Sequence, residues 1–465
     1  MKTNEIKQFK LENNIDVNYY QKLDNNITSI SIFFNVGSIN EDENEKGMSH
    51  FLEHILFKGT KKRKDPKSIS KELDAVGAYF NAYTDKDCTC YIVKLNTDHI
   101  ELALDILSDM LNNSIFEQNN FDQEKNVVVE EITRDKDNTE RQVLENAFET
   151  VFDGHNLQYS IGAEEKDIRS FTRNNVMNYW KKYYTSDNMI ISIVSNKDIE
   201  IIKTLLNNYF KQFTNSNKYN ITEKKNKLIL QETPRYYIEK KNDLEQVHLV
   251  LGFPICNRYN EDRFALDMIN VILAGNMSSR LFLSLREKNG LSYTVSNHIG
   301  YYKDTGGFFI CTSFDKDSLI LKNIKDIDSN LSYEKLYDNI FKKDNKKFGP
   351  GGLPIILEEL KDIKENPISN NELNKIKGFI KGSLSLQSED SHNIAEYFGR
   401  QLIANQSPIL SYKDLLNIYE NISIETIQKT SKKYFDFNKL NISIISDHYE
   451  KEYIESFINQ YLFDK

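Results

Sequence analysis

The stretch ISIFFNVGSINEDENEKGMSHFLEHILFKG, residues 30–59, reads as a buried strand, a polar loop and a helix closed by glycine. A second stretch, QVHLVLGFPICNRYNEDRFALDMINVILAG (246–275), has the same length and texture. Aligned, Gly59 matches Gly275, an offset of 275 − 59 = 216. Further along, KKYYTSDNMIISIVS (181–195) matches KKYFDFNKLNISIIS (432–446), an offset of 446 − 195 = 251. The chain is therefore read as two copies of one α+β unit, each an antiparallel sheet flanked by helices. The offset grows by 251 − 216 = 35, and an insertion of about that size is expected in the charged stretch from about 315 to 354.

Working outward, the expected domains are 1–218 and 228–465, joined through the polar KQFTNSNKYNITEKKNK (211–227). The length of 465 residues agrees, being too long for one core and right for two. Strand-like alternation occurs in DCTCYIVKL (87–95) and KLNISIIS (439–446). HIELALDILSDMLNN (99–113) carries Leu102, Ile106, Leu107 and Met110 on one helical face. GPGGLP (349–354) lacks the Lys-Ser/Thr of a phosphate loop and reads as a turn.

Composition narrows the function. With 39% hydrophobic residues and 12% aromatic, the chain can bury sizeable cores and is not disordered. Its net charge of −9 argues against a nucleic-acid or anionic-membrane binder, and no stretch approaches a membrane span. The opening MKTNEIKQFKLENN has acidic residues and no apolar run, which predicts a cytoplasmic protein. Cys88, Cys90, Cys256 and Cys311 form no disulfide framework, and the C-x-C pair is read as small buried residues.

The chemistry is concentrated in GMSHFLEHILFKGT. His50 and His54 are one helical turn apart, so both imidazoles leave one face, with Glu53 beside them. This is H-x-x-E-H, an order compatible with two metal ligands and a base. FDQEKNVVVEEITRDKDN (121–138) reads as a partly buried helix, and Glu124 and Glu131, seven apart, share one face while Glu130 points elsewhere. Either could supply a third ligand.

With these motifs in view, the chain resembles the M16 (pitrilysin/insulinase-type, inverzincin) metallopeptidases. The similarity is to the subgroup of half-length chains that includes the mitochondrial processing peptidase β subunit and bacterial homodimeric members. It rests on H-F-L-E-H at 50–54, the Glu124/Glu131 pair, NAYTDKDCTCY (81–91) and SSRLFLSLREKNGLSY (278–293). The resemblance implies one zinc ion held by His50, His54 and Glu131, with Glu53 as general base and Glu124 as a supporting carboxylate. It implies that Arg286 and Tyr293 stabilise the oxyanion, and that Asn81, Ala82 and Tyr83 line the strand to which a peptide substrate adds. It further implies a zinc endopeptidase whose Arg/Tyr pair is supplied across a homodimer. A processing-peptidase-like β subunit with a distinct α partner and a non-catalytic structural homologue are the alternatives. At the offset of 216, Leu266, Ile269 and Asn270 replace His50, Glu53 and His54, so the metal is expected in the first half alone.

Overall fold

Residues 6–215, 228–320, 350–447 and 449–463 are described by the computed structural model. The insertion assigned to 315–354 and the join assigned to 211–227 lie mainly outside them. Eleven strands form two sheets among the described residues. The first is built from β1 (Ile6–Lys10), β2 (Asp16–Gln21), β3 (Ile27–Phe34), β4 (Tyr79–Thr84), β5 (Thr89–Asn96) and β6 (Met189–Ser195). The second is built from β7 (Arg235–Lys240), β8 (Gln246–Ile255), β9 (Val295–Tyr301), β10 (Gly306–Asp315) and β11 (Asn441–Ser446). The strand orders are β1-β2-β6-β3-β5-β4 and β7-β11-β8-β10-β9. Apart from β1, the two follow one pattern, so the duplication seen in the sequence is a duplication of topology. The α+β class is as expected, with one refinement: each sheet contains a parallel pair, β2 with β6 and β7 with β11, among antiparallel neighbours. Each parallel pair joins a unit's early strand to its last one, so the connection between them spans most of the unit.

In the first sheet the two faces of β3 read differently. Ile30, Ile32 and Phe34 enter a core shared with Phe51, Leu52 and Ile55 of the helix α1 (Met48–Leu56). At about 1.5–3 kcal/mol for each large apolar side chain buried, this face anchors α1 to the sheet. Ser29 and Phe33 leave by the other face. There Ser29 Oγ lies 2.8 Å from Ser391 Oγ, and Phe33 joins a small cluster with Cys88, Cys90, Ile92 and Ile403. The two cysteines are thus the small buried residues the sequence suggested.

Other helices that matter here are α2 (Gln118–Asp137), α3 (Thr139–Val151), α4 (Asp262–Ala274), α5 (Gly352–Glu365) and α6 (Ser391–Ile403). The two compact units do not coincide with the two halves of the sequence. One gathers Met1–Arg134, Tyr159–Lys225 and Lys381–Leu415, and the other gathers Asp135–Gln158, Asn226–Ile380 and Leu416–Lys465. In the first, α6 packs across β2, β3 and β6; in the second, α3 packs across β7, β8, β10 and β11. The exchanged helices are themselves duplicates, both 13 residues long and offset by 391 − 139 = 252.

Close approach of α6 to its sheet depends on one glycine. A Cβ on Gly399 would stand 2.1 Å from Phe33 Cε2. Gly399→Ala should therefore destabilise the first unit by about 1–3 kcal/mol, measured by urea or thermal unfolding. No loss of stability would mean that α6 slides freely on the sheet.

The segment GPGGLP departs from the turn reading. Gly352, Leu353 and Pro354 form the first turn of α5, where Pro lacks only an N–H that no helical bond would use.

Candidate metal centre

Entry into α1 is fixed by Gly47 and Glu41. Gly47 has φ 82°, and a Cβ there would meet Ala163 Cβ at 2.9 Å, so glycine is required on both counts. The buried Glu41 carboxylate accepts hydrogen bonds from Gly47 N (2.7 Å) and Ser49 N (2.8 Å), two of the donors left open at a helix start. The helix thereby reaches His50 in a fixed rotation.

From this frame His50 and His54 project side by side, their Nε2 atoms 3.3 Å apart. Glu131, on the facing side of α2, brings Oε2 to 3.4 Å from His54 Nε2 and 3.8 Å from His50 Nε2. Two zinc–donor bonds of roughly 2.0–2.1 Å at the tetrahedral angle would separate their donor atoms by about 3.3–3.4 Å. The three donors thus form a triangle of about the size that zinc would require, and these residues would hold the ion. They are 15–25% exposed as side chains, reachable from solvent yet sheltered. Glu131 and Arg134 lie along an open surface hollow of ≈ 740 Å³ beside α2.

Around the triangle, His54 and Glu131 have further partners. His54 Nδ1 faces Glu124 Oε1 at 3.1 Å, an arrangement that orients Nε2 toward the other donors. Glu124 is itself held by Lys58 Nζ at 2.9 Å from Oε2. Arg134 Nη2 stands 3.7 Å from the second oxygen of Glu131. Glu53 is not in the triangle; its Oε2 accepts a 2.8 Å hydrogen bond from the Thr84 hydroxyl at the end of β4. Glu130 is exposed.

The electrostatics follow from this packing. Burial pulls the His54 pKa down, but the Glu124 and Glu131 carboxylates outweigh it and raise it to about 9. The same contact with His54, helped by His50 and Arg134, holds Glu131 down to about 2. Glu124 feels burial raising its pKa, yet His54 and Lys58 leave it lowered. Glu53 goes the other way, raised by burial despite its hydrogen bond from Thr84. Without a metal, then, the carboxylates around His54 favour its charged form, and burial favours the protonated form of Glu53.

The sequence-assigned strand residues lie on β4, the edge of the first sheet, whose single partner among the described residues is β5. Period-two alternation divides them. Ala82 packs toward the core shared with α1 and Thr84 bonds Glu53 on that side, whereas Tyr83 packs with the cysteine cluster on the opposite face. A strand-adding peptide would therefore meet the backbone of Tyr83, not its ring.

Arg286 and Tyr293 belong to the second unit and are brought together there. The guanidinium lies 4.8 Å from the Tyr293 ring centroid, and Nη1 is 3.4 Å from the Tyr293 carbonyl. Tyr293 is 77% exposed. Arg286 sits on a π-helical stretch, Phe282–Lys288, tied down by Arg280 bonding Glu372 and Asp362 and by Ser284 bonding Glu359. In α4, Leu266 and Ile269 are fully buried where the first copy has His50 and Glu53. His155 bonds Asp304 at 3.0 Å, and His248 bonds Ser313 at 2.8 Å. Neither histidine belongs to the triangle.

Thr84 and Lys58 escaped the sequence reading. Thr84 stood within the quoted strand and Lys58 one turn beyond His54, but only the fold reveals which carboxylates they bond. A second group, Asp85, Asp87 and Cys88, also has ligand atoms close together. There Asp85 is already paired with Arg400 at 3.1 Å.

Comparison with known proteins gives a consistent picture. The profile described as "Insulinase (Peptidase family M16)" matches residues 17–165, and "Peptidase M16 inactive domain" matches residues 170–342. The chain is similar to the uncharacterized zinc protease YmxG of Bacillus subtilis, 30% identical over 438 residues that span 92% of this chain and 96% of that one. An uncharacterized zinc protease of Rickettsia felis is 33% identical over 68% of this chain and 76% of its own length. Among solved structures, a protease from Helicobacter pylori superposes with a TM-score of 0.83 at 21% identity, covering 96% of this chain and all (100%) of that one. That level of identity speaks to fold alone. No helix among the described residues is long and apolar enough to cross a membrane.

Proposed function

Starting from the fact that this chain belongs to the M16, insulinase-type, peptidase family, we propose that it is a zinc-dependent endopeptidase acting on extended peptides or unfolded segments. The observation that carries the reading is the donor triangle of His50, His54 and Glu131 with Glu53 beside it. Those three residues would hold one zinc ion per chain. Bound there, zinc would supply Lewis-acid chemistry, polarising a carbonyl and lowering the pKa of water toward about 7.

The chain's own groups do the rest. Glu53, aimed by Thr84, accepts the proton of the attacking water and returns it to the departing amine. Its raised pKa brings it nearer the working pH of a base that must also act as an acid. Glu124 and Lys58 keep His54 in the tautomer whose Nε2 is free to ligate. The outer edge of β4 offers main-chain donors and acceptors to an extended peptide, a mode that reads shape more than sequence. Arg286 and Tyr293 present a cation and a phenol suited to a developing oxyanion.

The metal triangle and the Arg/Tyr pair fall in different compact units, and we assign them to one active centre completed by a second copy of the chain. Mixing Glu53→Gln and Arg286→Ala chains should then restore peptide cleavage to roughly a quarter of wild type, if subunits exchange at random. Recovery no better than either variant alone would rule out action across subunits. Zinc uptake should also depend on pH. The ion must displace the His54 proton, so its apparent affinity should fall about tenfold per unit between pH 8 and pH 6. Competition against a chromophoric chelator reads this slope, and a flat profile would contradict a protonated apo His54.

A further inference from the structure

An edge strand that must receive a peptide is hydrogen-bonded on one side only, and binding is strongest when it is held in shape beforehand. Among the described residues β4 has β5 as its one strand neighbour. We propose that α6, drawn from the far end of the chain, is the device that holds this edge, with Glu396 and Arg400 as positioning residues. The inference rests on the peptide-cleaving role proposed above.

The contacts run along the back of the β4–β5 hairpin. At one end Asp390 takes Lys94 of β5 at 2.7 Å. At the other, the Tyr83 hydroxyl donates to Glu396 Oε1, and Arg400 Nε bonds that same oxygen at 2.7 Å. The Arg400 guanidinium lies 5.1 Å from the Tyr83 ring centroid and reaches Asp85 Oδ2 at 3.1 Å through Nη1. Tyr83 and Asp85 flank Thr84, the residue whose hydroxyl holds Glu53. A single guanidinium thus pins the positions before and after the one that aims the base. Neither Glu396 nor Arg400 touches the donor triangle, so they act through β4. Arg suits the task because its planar fork can stack on a ring and bond two carboxylates at once.

A helix that merely covered the sheet would need only its apolar side, such as Ile394, Ala395 and Phe398. The Glu396–Arg400–Asp85 chain serves no such purpose, lying at the hairpin tip.

The test compares Arg400→Gln and Glu396→Gln with wild type by peptide kinetics and by backbone hydrogen exchange. Exchange in residues 79–84 should accelerate roughly tenfold while residues 30–34 of β3 stay protected. KM for a long peptide should rise about tenfold, kcat should fall as Thr84 loosens its hold on Glu53, and zinc content should stay unchanged. Unchanged exchange at 79–84, or acceleration spread evenly over the sheet, would overturn the assignment. If Arg400→Gln does not fold, Glu396→Gln decides alone, since it keeps an acceptor for Tyr83 and removes only the charge. Should wild type cleave no peptide at all, the proposed function falls, and the exchange pattern still judges the clamp.

Discussion

Glu53→Gln should abolish peptide turnover, by about a thousandfold or more, while leaving the zinc content of the chain unchanged. The two halves of that expectation have separate causes. Glu53 contributes no atom to the triangle of His50, His54 and Glu131, so its replacement removes no ligand. Gln matches its shape and keeps an oxygen for the Thr84 hydroxyl, so the local geometry is retained. What it cannot do is accept a proton from water and return it. Mass-spectrometric detection of cleavage products, beside metal analysis of the same sample, reads both halves. Equal turnover in the two proteins would refute the role of Glu53, and loss of zinc would show it to be a ligand.

His54→Ala should instead lose both. Removing one of three donors leaves Glu131 without its closest partner and Glu124 paired with Lys58 alone. Disturbing an outer partner such as Glu124 typically costs about 10–100-fold in metal affinity, so deletion of a ligand should exceed that range. We therefore expect near-stoichiometric zinc in wild type, an intermediate loss in Glu124→Gln, and almost none in His54→Ala after dialysis. Circular dichroism should remain that of the folded chain, because α1 is anchored by Phe51, Leu52 and Ile55 and not by its histidines. Zinc retained at the wild-type level in His54→Ala would place the metal elsewhere.

Much of this was legible from residues alone, for identifiable reasons. His50 and His54 are one turn apart, and Glu124 and Glu131 two turns apart, so helical geometry fixes which side chains share a face before any packing is known. The two sheets were legible because the strands of each copy carry the same alternation in the same order. Other features depend on tertiary packing and leave little trace in one chain. The apolar stripes of α3 and α6 announce helices that cover something, but not which sheet they cover. Thr84 and Lys58 are ordinary residues whose value lies in the carboxylates the fold brings to them. Tyr83 is an intermediate case: strict alternation from Thr84 already places its ring on the opposite face. GPGGLP reads as a turn in isolation, yet Pro within a first helical turn breaks nothing.

The exchange of α3 and α6 bears on ancestry and on divisibility. If the two halves descend from one shorter polypeptide, that forebear could not have finished its own sheet. Its covering helix would have been donated by a sister molecule and repaid in kind, so pairing preceded fusion. The same reciprocity means that cutting the modern chain at its midpoint would not yield two domains. It would yield two fragments, each missing the helix that closes it, and only their co-expression would reassemble the whole.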